Sequence, residues 1–234
     1  SKYITNIFPN LKKSVLYKSL RNKDIRVNDN VDITLTIINE EDKDVSYNFD
    51  INENCNLTFN IFDASKNINR NINVNINGKN SNVLINISSI SLNENNYDVS
   101  IHHNNKNCTS NTNIHGLTID NNSIYIKNNG YIPNGSEKSV LHQDNKIIVM
   151  NDNKSKIEPN LFIDEYDVEA SHGAYIGKFD EEELFYLNSR GLDENKCYEL
   201  LINGFLLNEF NIIDDVKDDL KKIIKKYWRW KNEL

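Results

Sequence analysis

Few side chains in this sequence offer chemistry beyond solvation and packing, and the most conspicuous is His172. It stands in the run DVEASHGAYIGKFDEEELFYLNSRGL, residues 167 to 192, where Ser171 and Gly173 flank it and the His-Gly pair reads as a turn. An imidazole in such a place suits iron or proton handling, because it titrates near neutrality and binds borderline metals as the neutral base. One ligand does not make a metal site. No second ligand follows at a readable spacing, so any further donors would have to come from a partner. The simpler role for a histidine before glycine is a hydrogen-bonded turn residue.

The three cysteines, Cys55, Cys108 and Cys197, form no CxxC pair, so neither a disulfide framework nor a zinc ribbon is indicated. Cys108 has His102 and His103 nearby, a grouping that could in principle hold a soft or borderline metal. Alternation along a strand would send those two histidines to opposite faces, which favours a structural role. Cys55 precedes a strand, and Cys197 reads as a small buried residue of a helix.

The elements that would carry these residues fall into two textures. From about residue 20 to 163, short runs alternate apolar and polar residues, at Asp32–Ile38, Ser46–Ile51, Asn56–Ile61, Asn71–Ile76, Asn82–Ile87, Tyr97–His102, Ser123–Lys127, Lys146–Met150 and Asn160–Ile163. They predict strands. Spacing alone leaves a sandwich, a barrel and a parallel β-helix open. After residue 178 the period changes to helical. Asp180 is a good N-cap, Glu181, Glu182 and Glu183 sit where the helix dipole favours negative charge, and Leu184, Phe185, Tyr186 and Leu187 supply an apolar face. Arg190 lies in the last turn and Gly191 closes the helix. Asp193 caps a second helix through Tyr198, Leu201, Ile202, Phe205 and Leu206. Asp214 or Asp215 opens a third through Val216, Leu220, Ile223, Ile224 and Tyr227.

About forty residues are asparagine, and isoleucine is common too, a bias that points to an A+T-rich genome. Asn-rich tracts can also signal disorder or aggregation, but the alternating Ile and Val can offset the entropy of folding. In a β-helix, Asn accepts left-handed corners and stacks its amides in ladders. A net charge of −7 argues against a nucleic-acid surface. The one basic cluster, Lys221, Lys222, Lys225, Lys226, Arg229 and Lys231 beside Trp228 and Trp230, reads as the solvated face of the last helix, with a membrane-surface or calmodulin-like role as the alternative. No apolar run approaches the roughly twenty residues of a membrane span.

The SHGA run, the acidic helix start, LFYL and SRG together resemble the C-terminal signature of SufD, in the SufB/SufD family of scaffold proteins of the SUF iron-sulfur cluster assembly system. The match is strongest over residues 158 to 206. It implies a mainly β fold, a right-handed parallel β-helix over residues 1–177 followed by a C-terminal helical module over 178–234, and a chain that is a C-terminal portion or a reduced version, since the family normally has more before this point. It implies a non-enzymatic subunit that pairs with a SufB-like paralogue and docks the SufC ABC-type ATPase. His172 would then take part in cluster assembly at the paralogue interface, with Ser171 and Gly173 shaping its turn. Some members carry a cysteine two residues earlier, where Ala170 stands here. The docking helix would use Phe185, Tyr186, Arg190 and Gly191. No cofactor is expected to be tightly bound; an iron-sulfur cluster would be shared transiently with the partner. With the A+T bias, the resemblance suggests a plastid of the apicoplast type, or else a bacterial cytoplasm. His102, Thr109 and Ser110 match the family as a structural strand and turn.

Other readings are a purely structural β-helix interaction protein and a β-helix carbohydrate-active enzyme. The latter needs a carboxylate pair or an Asp and Arg cluster on one face, and the strand region offers neither by spacing. GxSxG and GxxxxGK[ST] are both absent, so neither a hydrolase elbow nor an ATPase loop is present.

Overall fold

The computed structural model describes residues 3–7, 12–17, 23–151 and 154–229. Among these residues twelve strands precede three helices: β1 (Tyr3–Ile7), β2 (Lys12–Tyr17), β3 (Lys23–Val27), β4 (Asp32–Asn39), β5 (Lys43–Ile51), β6 (Asn56–Ile76), β7 (Asn82–His103), β8 (Thr109–Thr118), β9 (Ser123–Ile132), β10 (Ser139–Val149), β11 (Lys156–Ile163), β12 (Val168–Gly177), α1 (Glu181–Ser189), α2 (Glu194–Leu207) and α3 (Asp214–Arg229). Every strand pairing is parallel. One ladder runs β2-β4-β6-β7-β8-β10-β12 and the other β1-β3-β5-β6-β7-β9-β11. The long β6 and β7 belong to both, turning the corner beside a register shift at Ser65/Asn67. The result is a parallel β-solenoid of about six turns.

Alternation explains its interior. In β5, Val45, Tyr47, Phe49 and Ile51 point inward while the residues between them face outward. Stacking such strands in register builds columns of Ile, Val, Leu and Phe along the axis, a single apolar core. The corners show what the asparagines do. Asn30, Asn54, Asn80 and Asn107 occupy equivalent corners with φ near +60°, the left-handed region Asn tolerates, and Lys138 follows them at φ 57°. Asn80 Nδ2 donates to Asn54 Oδ1 at 3.1 Å, and Asn54 Nδ2 to Asn30 Oδ1 at 3.2 Å. A second ladder runs Asn113 to Asn86 to Asn60 to Thr36 on the sheet face beneath the helices.

That face also carries Phe62, Ala64, Ile90, Leu117, Ile119 and Ile148, which share a second core with Ile202, Leu206, Leu207 and Phe210 of the α2 region and Leu220 and Ile224 of α3. The helical end therefore packs against the flank of the solenoid. Asp180 caps α1 by accepting from the Glu182 amide at 2.8 Å, and Asp193 caps α2 by accepting from Lys196 at 2.8 Å. Gly191, at φ +88°, ends the first helix as expected. On α3, Lys221 pairs with Asp218, Lys222 with Asp219, and Lys226 with Glu40 of the solenoid, so much of the basic cluster has acidic partners within the chain. Trp230 and Lys231 lie outside the described residues, as do the side chains of Trp228 and Arg229. None of the described helices is long and apolar enough to cross a membrane.

The expected turn at Ser171-His172-Gly173 is corrected. These residues are the middle of β12, paired in register with His142, Gln143 and Asp144 of β10. Gly173 is not one of the positive-φ glycines, which are Gly135 and Gly191. The ladder supplied by β10 holds the segment extended, and local Gly propensity gives way to tertiary pairing. Thr109–Thr118 likewise forms a full strand, and the separate runs at 56–61 and 71–76, and at 82–87 and 97–102, are halves of β6 and β7.

Candidate functional site

The last coil of the solenoid is built from β11 and β12. Among the described residues, β11 pairs only with β9 and β12 only with β10, so the outer edge of each presents unpaired backbone donors and acceptors. Side chains around this end are apolar and open to solvent: Phe162 is 52 % exposed and Tyr175 48 %, with Ile163, Tyr166 and Ile176 also exposed. Phe162 ends a stack of rings, lying 4.8 Å from Tyr131, which lies 4.3 Å from His102. His102 therefore faces outward while its neighbour His103 is fully buried. The two are split between faces, as alternation predicts.

His172 sits at the mouth of this open end. Its in-register partner on β10 is Gln143, a buried residue whose side chain enters the solenoid interior. Neighbouring strands in register send paired side chains to the same side, so His172 is on the interior side too, left exposed because no further coil covers it. Ser171 points the other way, where its Oγ lies 2.6 Å from His142 Nδ1; His142 Nε2 also contacts Glu169 at 3.3 Å. Behind His172 the column runs through Gln143 to Thr112 and Ile85. The interior is thus apolar along most of its length and polar at the mouth. Asn128 Nδ2 donates to Asn145 Oδ1 at 2.9 Å, and Asn145 Nδ2 donates to the Gly173 carbonyl at 3.0 Å, tying β12 to the coil beneath it.

The flank holds a second polar device. His115 of β8 is stacked on Phe205 of α2, its Nδ1 lies 3.1 Å from the Phe205 carbonyl, and its Nε2 lies 2.9 Å from Asp144 of β10. The His115 contact, aided by Lys146 at 3.1 Å, holds the Asp144 carboxyl below its usual range. This pins α2 to the strand next to β12. Between them, a groove of about 660 Å³ is lined by Lys146, Tyr175, Phe179, Glu183, Leu201 and Phe205, among others.

Of the helix residues singled out in sequence, Phe185 is 74 % and Tyr186 55 % exposed, and the Arg190 guanidinium lies 5.1 Å from the centre of the Tyr186 ring. Helix α1 buries no residue completely, with Leu184 and Leu187 half-buried. Its apolar face is therefore largely uncovered. Cys55, Cys108 and Cys197 are all buried; Cys55 and Cys108 sit beneath corners with Sγ against backbone carbonyls, and burial raises both thiols. No cluster of three or more His, Cys, Asp or Glu suited to a metal ion occurs among the described residues. His172 offers one imidazole at the mouth and belongs to no such cluster.

Sequence reading did not single out Gln143, Asn128, His115 or Phe162. A signal existed for the first: Gln143 and Asn145 are polar at the interior period of β10, between Leu141 and Ile147.

A family model described as the SufBD core domain of SUF system FeS cluster assembly matches residues 17–205. The chain belongs to the SufBD family. Similar proteins include an iron-sulfur cluster assembly protein SufD of Bacillus subtilis, 34 % identical over 116 residues that cover 48 % of this chain and 26 % of that protein. A SufBD family protein of Pyrococcus horikoshii is 38 % identical over 101 residues, 41 % of this chain and 22 % of that one. The SufD of Escherichia coli is 42 % identical over 48 residues, 20 % of this chain and 11 % of that protein. The chain thus aligns with about a quarter or less of the length of these SufBD relatives.

Proposed function

We propose that this SufBD chain is a non-catalytic, SufD-type scaffold subunit in iron-sulfur cluster assembly, joining a SufB-type paralogue through the open end of its solenoid. The observation that carries the reading is the last coil: two unpaired strand edges and an exposed apolar rim surround an exposed imidazole. Unpaired edges are templates for strand addition, and the exposed rings supply surface to bury. His172 then contributes one nitrogen to a seam whose other ligands come from the paralogue, and the cluster is cargo passing through it. The uncovered apolar face of α1, with Phe185, Tyr186 and Arg190, supports docking of a SufC-type ATPase near the groove against α2. The A+T-rich composition supports residence in a plastid-type organelle, to be checked by imaging the tagged protein.

Co-expression with the SufB- and SufC-type proteins of the same source tests this. Tagged chain is expected to retain both through size exclusion at micromolar concentration. Phe162→Glu or Ile176→Asp is expected to release the SufB-type partner, and Phe185→Glu the SufC-type one. His172→Ala is expected to keep both partners and lose cluster build-up. If the wild-type chain retains neither partner, the reading fails and a purely structural interaction protein replaces it.

A further inference from the structure

Helix α2 ends against the solenoid, and side chains of β7 and β8 meet the carbonyls at and just beyond its last turn. The Ser88 hydroxyl donates to the Leu206 carbonyl, Asn86 Nδ2 donates to the Glu209 carbonyl at 3.0 Å, and His115 Nδ1 lies 3.1 Å from the Phe205 carbonyl. The helix carries no basic residue in its own last turn, so the negative end of its dipole faces a ring supplied by β8. The other ring nitrogen, Nε2, lies 2.9 Å from Asp144 Oδ2. That carboxyl is held below its usual range, first by the His115 contact, so it is ionised and can only accept, as a backbone carbonyl can only accept. Both nitrogens of a buried ring therefore face acceptors. A neutral imidazole has a single N–H and would set lone pair against lone pair at one of the two contacts. Two hydrogens satisfy both.

We infer that His115 stands in the folded chain as an imidazolium and serves as a proton-dependent latch between the solenoid and its helical module: with both ring nitrogens protonated it holds α2 on the sheet, and loss of one proton as pH rises loosens that hold. The charged groups facing the ring come from β10. Asp144 is one, and Lys146, in register with His115 and 3.1 Å from the same carboxylate, is the other. Tyr175 of β12 lies one strand further on, opposite Lys146. The in-register neighbour on β7 is Ser88, and α2 contributes the Phe205 ring, stacked on the imidazole at 5.0 Å, so neither adds a charge. Lys146 is a like charge, but its side chain is 44 % exposed and screened by solvent, whereas the His115 side chain is 8 % exposed and bonded to the carbonyl and the carboxylate. The sign follows from proton counting. The closed form keeps a proton that the opened form gives up once pH passes the ordinary range of histidine, so rising pH favours opening.

The test is long-range proton–nitrogen NMR of the ¹⁵N-labelled chain near pH 7, with hydrogen exchange of α2 as a second readout. Five histidines are present, and His115→Gln assigns the relevant pair of signals by removing them. The wild type is expected to show hydrogen on both His115 nitrogens. In Asp144→Asn, which keeps the size of the side chain without its charge, the ring is expected to carry one hydrogen, at Nδ1 against the Phe205 carbonyl. Between pH 6.5 and pH 9, after correction for intrinsic exchange, protection of α2 is expected to fall about tenfold more in the wild type than in His115→Gln, whose amide does not titrate. The wild-type spectrum decides the protonation state even where a variant folds poorly. A single protonated nitrogen on His115 in the wild type, or the same pH dependence of α2 exchange with and without the imidazole, overturns the inference.

Discussion

Acid should destabilise this solenoid through one buried ring. His103 ends β7 fully enclosed, with Nε2 2.7 Å from Ser110 Oγ, and burial pushes its pKa down from 6.5 to about 4. The unfolded chain binds a proton near the ordinary value, and the folded chain binds it only near 4. Between those limits the unfolded state carries more protons, so stability is full above about 6.5 and declines as pH falls toward 4. The whole shift corresponds to about 3 kcal/mol, and at pH 5 about 2 kcal/mol of it is already lost. For a chain of this size that lowers the melting temperature by about 4–8 °C between pH 7.5 and pH 5. Carboxylates titrate in the same range, so the diagnostic quantity is the difference between wild type and His103→Gln, whose amide can still reach Ser110. Melts followed by circular dichroism at both pH values should show the variant losing about 2 kcal/mol less than the wild type on acidification. Equal pH dependence in the two proteins would refute the argument.

Arg70 forms a two-pronged ion pair with Asp63, both contacts at 2.6 Å and both side chains buried, with Tyr47 and Tyr97 hydrogen-bonded to the pair. Arg70→Met leaves the buried carboxylate without its counter-charge, held only by Tyr97 and Asn39, and should cost about 3–5 kcal/mol in urea unfolding, with Arg70→Met/Asp63→Leu recovering much of it; a neutral single variant would contradict this. At the left-handed corner held by Lys138, Lys138→Asn is expected to raise stability by about 1 kcal/mol, read as a higher urea midpoint, whereas an unchanged or lower midpoint would mean the corner is not strained. Leu206→Ala should cost about 2–5 kcal/mol and speed hydrogen exchange in α2 and α3 ahead of β6 and β7. Uniform exchange across both regions would show that helices and solenoid open as one unit.

Periodicity made the two textures legible, because a half-buried strand and a capped helix each leave a local imprint. Asp180, Asp193 and Gly191 could be assigned from sequence since a cap acts over three or four residues. The extended state of Ser171–Ala174 was not legible. Its Gly and Ser favour a turn, and the strand exists because β10 lies beside it. The same holds for Gln143, whose amide crosses the interior to the Asn160 carbonyl, seventeen residues away and on the opposite ladder.

The sequence by itself determined that apolar residues would alternate into a β core, that asparagine could serve its corners, and that three helices would follow the strands. Those are local facts, written within a few residues of one another. The tertiary structure alone decided that parallel stacking leaves the last coil uncovered, that His172 faces the interior side of its mouth, and that the helices lie along the flank. These depend on which coils become neighbours, and register between distant strands is set by the packing of whole columns of side chains, not by any one segment.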